Sequence, residues 1–176
     1  SRRAKAYAQH ISLLRGNILD LPFKHQFDAI LCRGVLNDLI DDESRGKVFV
    51  SFADALRQGG VLIFDVREWN ETVERKRREP IFEKSVKTPK GHLMFRSETR
   101  LDNAQQRLLV AERHVLNNDG RETVSDYEFI MRCWTEDELQ HNLSKAGFVD
   151  MAYSGDYSGT IPVGASDRLV CVASRT

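Results

Sequence analysis

A three-layer α/β fold is predicted, with a mostly parallel sheet, an antiparallel C-terminal strand and an inserted antiparallel β meander. Three observations carry this. Two nearly continuous apolar runs, Phe27–Cys32 and Val61–Val66, flank a stretch of helical periodicity, as expected of parallel strands covered on both faces. From Ile81 to Trp134 the chain is rich in branched and aromatic residues between turn signals, which reads as hairpins. A helix signature then precedes two more short apolar runs at the C-terminus.

In chain order, Arg2–Gln9 reads as the tail of a helix, and Ile11–Leu14 as a short strand ended by Gly16-Asn17. Phe27–Cys32 is the second strand. Asp42–Gln58 carries Val48, Phe49, Phe52, Ala53, Ala55 and Leu56 on one stripe and is expected to stop at Gly59-Gly60, where glycine can take the left-handed conformation. Val61–Val66 is the third strand. Strand, helix and strand in this order imply parallel pairing through a right-handed crossover. Glu68–Glu79 is a mixed-charge helix ended by Pro80. Pro89-Lys90-Gly91, Asn118-Asp119-Gly120 and, more weakly, Asp102-Asn103 punctuate the meander strands His92–Leu101, Leu108–Leu116 and Thr123–Cys133. Thr135 with Glu138 forms a capping box that opens a helix closing at Gly147. Phe148–Tyr153 and Arg168–Ala173 make a hairpin-like final pair.

Composition narrows the function classes. The 176 residues are 41% hydrophobic and 30% charged with zero formal net charge, enough for one domain with a core and without a global field for nucleic acid or an anionic membrane. No apolar run is long enough to span a bilayer, and the first ten residues do not resemble a signal peptide. Three widely spaced cysteines, Cys32, Cys133 and Cys171, suit free thiols in a reducing cytoplasm. The five histidines, His10, His25, His92, His114 and His141, show no ligand spacing, so no metal is expected. The Arg75–Arg78 run is flanked by Glu71, Glu74 and Glu79 and reads as a solvated helix face.

Four segments together resemble the class I, Rossmann-like S-adenosylmethionine-dependent methyltransferases. Gly16–Phe23 is similar to their loop after the third strand. Phe27–Leu36 is similar to the fourth strand and its turn. Leu56–Asp65 contains their Leu-x-x-Gly-Gly junction, and Trp134–Phe148 their late Trp-Thr-x-x-Glu-Leu helix. The resemblance implies S-adenosyl-L-methionine as cofactor, a small-molecule acceptor, and a single domain over residues 1–176 in which 81–134 is an inserted lid. It also implies a sheet of order 3-2-1-4-5-7-6 with cofactor at the switch point. No Gly-x-Gly-x-Gly follows a strand in this chain. About two βα units are therefore expected upstream of Ser1, and the 176 residues alone are expected to be inactive and to bind cofactor weakly.

The same resemblance nominates site residues. Asn17 stands where an acid commonly accepts from the adenine amino group, although Gly-Asn equally makes a simple turn. Ile18 would offer its N–H and side chain to adenine. Cys32, Arg33 and Gly34 would meet the methionine end through their backbone. Asn37 and Asp38 follow, near the transferable methyl, with Asp38 a base or amine-orienting group or else an ordinary helix N-terminal acid. Tyr127, Arg132 and Trp134 would shape a substrate pocket, packing being the stronger role for Trp134. Two other readings stand beside this one, a nicotinamide-dependent Rossmann oxidoreductase and a non-catalytic binding or dimerisation module. A homodimer is left open. The oxidoreductase reading lacks a Tyr-x-x-x-Lys or comparable set.

Overall fold

The computed structural model describes residues 10–176, so the expected helix over Arg2–Gln9 lies outside the described residues. Two four-stranded sheets organise the chain. In the first, β1 (Phe27–Cys32) pairs in parallel with β2 (Leu56–Arg67) through helix α1 (Asp42–Ala55). The last two strands, β7 (Phe148–Ser154) and β8 (Arg168–Arg175), pair antiparallel, and β8 inserts beside β2, which makes the order β1-β2-β8-β7.

Alternation decides which face is covered. Ile30, Leu62 and Ala173 share one row and Cys32, Phe64 and Cys171 the next on the same face. That face packs against Val48, Phe49 and Phe52 of α1 and Leu139 and Leu143 of α3 (Glu136–Lys145). The row between them, Leu31, Ile63 and Val172, points the other way, and Leu31 is 65% exposed. The expected third layer therefore does not cover this row among the described residues.

Two element boundaries differ from expectation. Ile11–Leu14 forms no strand, and Leu13 is 95% exposed. Among the described residues β1 is the outer strand and offers it no ladder, and an extended segment without partners gains nothing from strand propensity. Helix α1 ends at Ala55, short of Gly59-Gly60, because fully buried Leu56 already pairs with Phe27. The ladder resumes at Ala29 beside Val61, so the left-handed Gly59 (φ +74°) serves an irregularity in β2 rather than a helix end.

The second sheet joins β3 (Ile81–Thr88), β4 (Gly91–Asp102), β5 (Arg107–Asn118) and β6 (Arg121–Arg132) in chain order, all antiparallel. The turn signals sit at its hairpins. At one of them Asp119 and Gly120 both take positive φ, the requirement of a tight two-residue connection. The sheet is reached through helix α2 (Trp69–Arg78), capped by the Glu68 carboxylate accepting from Glu71 N–H. Trp69 packs with Leu101, Leu108, Val110, Met131 and Cys133 at the base of the sheet. The basic run fills the last turn of α2, where cations suit the dipole, and Arg75 reaches Asp167. Helix α3 opens with the expected capping box. The Thr135 hydroxyl accepts from Glu138 N–H, and the Glu138 carboxylate accepts from Thr135 N–H.

Candidate functional site

In a parallel α/β sheet the carboxyl ends of the strands are where side chains from different elements can converge on a ligand. Here β1 ends at Cys32 and turns through Arg33 and Gly34 into a single 3-10 turn, Leu36–Asp38. Gly34 has φ +68° and nothing within 4 Å of where a Cβ would stand, so the left-handed turn exposes bare backbone. Its N–H donates to Asp65 Oδ1 at 2.8 Å, which ties the end of β1 to the end of β2.

Asn37 is buried and fully committed. Its Nδ2 donates to the Arg132 carbonyl at 2.9 Å, and its Oδ1 accepts from Arg67 N–H at 2.8 Å. One amide thus joins the 3-10 turn, β2 and β6. Asp38, beside it, is exposed. Trp134 lies fully buried beneath this junction. Its indole N–H donates to the Leu36 carbonyl at 3.1 Å, and the Arg45 guanidinium stacks 3.4 Å from its ring centre. Arg132 is held by Asp42 and Glu138. Tyr127, five positions earlier on β6, points to the opposite face from Arg132, as odd spacing in a strand requires. It stands edge-on to His114 (5.3 Å), in a row continued by Phe95 and Phe82. Tyr127, Arg132 and Trp134 therefore do not converge.

Asn17 is exposed, and its Oδ1 accepts from Leu19 N–H at 3.0 Å, with Asp20 N–H returning to the Asn17 carbonyl. This is the turn geometry, and it leaves the second lone pair of Oδ1 for another donor. Ile18 packs against the main core. Asn17 lines a cleft of about 1020 Å³ with residues of α1 and α3, which none of Cys32–Asp38 lines. The acids and bases in that cleft largely neutralise one another, as Lys24 with Asp54 and Lys47 with Glu43.

Sequence reasoning did not single out Asp65, Tyr157 or Arg168 as site residues. Asp65 accepts from Tyr157 OH at 2.9 Å and faces Arg168 Nε at 3.5 Å, while Arg33 lies 5.4 Å from the Tyr157 ring centre. A signal existed for Asp65, an acid closing the apolar run Val61–Phe64 at a parallel strand's carboxyl end. Tyr157, in the long connection between β7 and β8, had none.

The thiols of Cys32, Cys133 and Cys171 are free and buried, and burial pushes them up to about 11, 12 and 12, with the Asp65 charge adding to Cys32. All three stay protonated below those values. The native protein is expected to react slowly with an aromatic disulfide reagent at pH 8 and to show three thiols only when unfolded. Rapid labelling of the folded protein would contradict this packing. Among the described residues no group of His, Cys, Asp and Glu could hold a metal ion, and no helix is long and apolar enough to cross a membrane.

Residues 1–64 match the family model described as a methyltransferase domain. No curated protein matches the chain in sequence. Among solved structures, the chain is similar to an S-adenosylmethionine-dependent methyltransferase from Clostridium acetobutylicum, with 17% identity over 98% of this chain and 69% of that one and a TM-score of 0.76. It is similar to CalS10, an amino pentose methyltransferase from Micromonospora echinaspora with bound S-adenosylmethionine, with 18% identity, coverages of 100% and 71%, and a TM-score of 0.69. The sugar N-methyltransferase KedS8 from Streptoalloteichus is also similar, with 16% identity, coverages of 97% and 66%, and a TM-score of 0.73.

Proposed function

We infer that this chain, which has the Rossmann-like α/β fold of the class I S-adenosylmethionine-dependent methyltransferases, transfers a methyl group to a small-molecule acceptor. One observation carries the reading. The end of β1 presents the open, left-handed backbone of Gly34 beside exposed Asp38, inside the segment that matches the methyltransferase-domain family. The similar structures support methyl transfer over the nicotinamide-dependent and non-catalytic readings, and two of them act on amino or other sugars. An amine-bearing sugar is therefore the acceptor class we propose. Three free, buried cysteines fit a reducing cytoplasm.

The donor set suits S-adenosyl-L-methionine. Carbonyls of Cys32 and Arg33 would take the ammonium group, and clear space at Gly34 admits close approach. The Asn17 side chain and Ile18 N–H would serve the adenine. When bound, the cofactor supplies a methyl already activated on sulfonium, so the chain's task is alignment and proton removal. Asp38 is assigned to orient the acceptor amine and accept its proton. Asn37 holds Asp38 in place through its two hydrogen bonds. Tyr127 offers an exposed ring to the acceptor on the 81–134 sheet, which we read as a lid within one domain, while Arg132 and Trp134 brace the junction beneath it.

Transfer of labelled methyl from S-adenosylmethionine to glucosamine, against glucose as control, tests the reading. Label in neither with the full-length protein, together with no cofactor binding by calorimetry, would overturn it. Asn17→Ala is expected to weaken cofactor binding by about 1 kcal/mol, the net worth of one neutral hydrogen bond. Asn17→Asp, which keeps both the turn and the acceptor, should bind as well or tighter. Unchanged binding in Asn17→Ala would remove this residue from the site.

A further inference from the structure

Asp65 is 6% exposed, on the face of the first sheet opposite α1 and α3. A carboxylate buried at a strand end is costly unless donors satisfy it, and an apolar residue would continue the Val61–Ile63 row at less cost. Instead three donors from three parts of the chain are aimed at it. Gly34 N–H and Tyr157 OH both reach Oδ1, and Arg168 Nε stands near Oδ2.

The segment carrying Tyr157 is built to hold it still. Gly155 is buried and donates to the Ile161 carbonyl at 2.7 Å, and a Cβ on it would lie 2.6 Å from the Ile161 side chain. Asp156 acts as a hub. Its carboxylate accepts from the N–H groups of Thr160 (2.9 Å) and Ile161 (3.2 Å), from Thr160 Oγ1 (2.8 Å) and from Ser158 Oγ. The ring of Tyr157 then has two guanidinium groups near it, Arg33 at 5.4 Å from its centre and Arg168 at 6.0 Å. A loop tied to itself in this way delivers one phenol to one carboxylate.

We propose that Asp65 and Tyr157 are positioning residues of the methyl-transfer site: Asp65 holds the Arg33–Gly34 turn in its left-handed form by accepting from Gly34 N–H, and Tyr157 holds the Asp65 carboxylate in the orientation that does so. The proposal rests on the methyltransferase reading, because it is that reading which makes the turn a cofactor contact. Open space at Gly34 argues for it: the lock fixes a residue at which an added Cβ would meet nothing within 4 Å. Burial, followed by the bond to Asp65, pushes the Tyr157 phenol up to about 12, so it keeps its proton as donor throughout the neutral range.

Calorimetry of the full-length protein with S-adenosylmethionine, paired with thermal melts, decides the matter. Tyr157→Phe should lose about tenfold in cofactor affinity, the effect of one lost hydrogen bond, with the melting temperature unchanged. Asp65→Ala should lose at least as much. Asp65→Asn, whose Oδ1 can still accept from Gly34 N–H, should recover most of the loss, which a mere gain or loss of packing would not do. Wild-type affinity in Tyr157→Phe overturns the proposal, as does a loss that simply follows a lowered melting temperature. If Asp65→Ala fails to fold, Tyr157→Phe carries the decision, since its ring is partly exposed. A wild-type protein that binds no S-adenosylmethionine overturns the methyltransferase reading and this proposal with it, whereas normal wild-type binding with an indifferent Tyr157→Phe sinks the proposal alone.

Discussion

Trp134→Ala is expected to lower the free energy of unfolding by roughly 3–5 kcal/mol, the range for truncating a large buried aromatic. The ring is fully buried and meets Phe49 edge-on at 5.6 Å, so its loss opens a cavity between α1 and the first sheet. Two further losses come with it. The Leu36 carbonyl loses the indole N–H, and Arg45, itself only 2% exposed, loses the aromatic face beneath its guanidinium. Burial brings Arg45 down to about 10, with Glu138 opposing, so it remains a cation at neutral pH, and with its Nη1 already buried without a partner it has little to replace the ring. Trp134→Phe keeps most of the packing and should cost about 1–2 kcal/mol by the hydrogen bond alone. Urea denaturation of both variants measures the difference. A Trp134→Ala protein within 1 kcal/mol of wild type would mean that the junction is not held from below.

Asn37→Ala is expected to cost roughly 2–4 kcal/mol, because it leaves two partly buried backbone groups unpaired at about 1–3 kcal/mol each. The groups are Arg67 N–H at the end of β2 and the Arg132 carbonyl at the end of β6. Asn37→Asp would keep the first bond and set a carboxylate against the Arg132 carbonyl, so it should also destabilise. Urea denaturation with hydrogen exchange at the Arg67 amide checks both. Unchanged stability and unchanged protection at Arg67 would leave Asn37 without this clamping role.

Much of the fold was legible because its signals are local. The Thr135–Glu138 capping box, the Asn118-Asp119-Gly120 turn and the apolar run at Phe27–Cys32 each depend on neighbours within a few residues. Ile11–Leu14 failed because a strand is a property of pairs, and the pattern of one segment does not reveal whether a partner stands beside it. The end of α1 was misplaced for a related reason: Leu56 has helical spacing, yet its pairing with Phe27, far away in sequence, outweighs the glycines that follow. Asn17 was readable as a turn, and the structure shows that turn. Tyr157 was not readable, since its meaning comes from Asp65, and nothing in the intervening chain records that the phenol and the carboxylate meet.

The second sheet leaves and rejoins the first at one point. Glu68 bridges Trp134, Trp69 N–H donates to the Trp134 carbonyl at 2.8 Å, and Trp134 N–H donates to the Arg67 carbonyl at 3.0 Å. The closure entropy of a long excursion grows only with the logarithm of its length, so a neck of this kind tolerates large changes in what hangs from it. Shortening or lengthening the β3–β4 or β5–β6 hairpins, which lie at the far end of the sheet, would alter the chain's outline while its base, where Arg107 donates to the Ile40 carbonyl and the Arg132 carbonyl accepts from Asn37, keeps Gly34, Asp38 and Asp65 where they are. Such a neck lets the excursion vary in length and surface while the strand ends around Gly34 and Asp65 stay as they are.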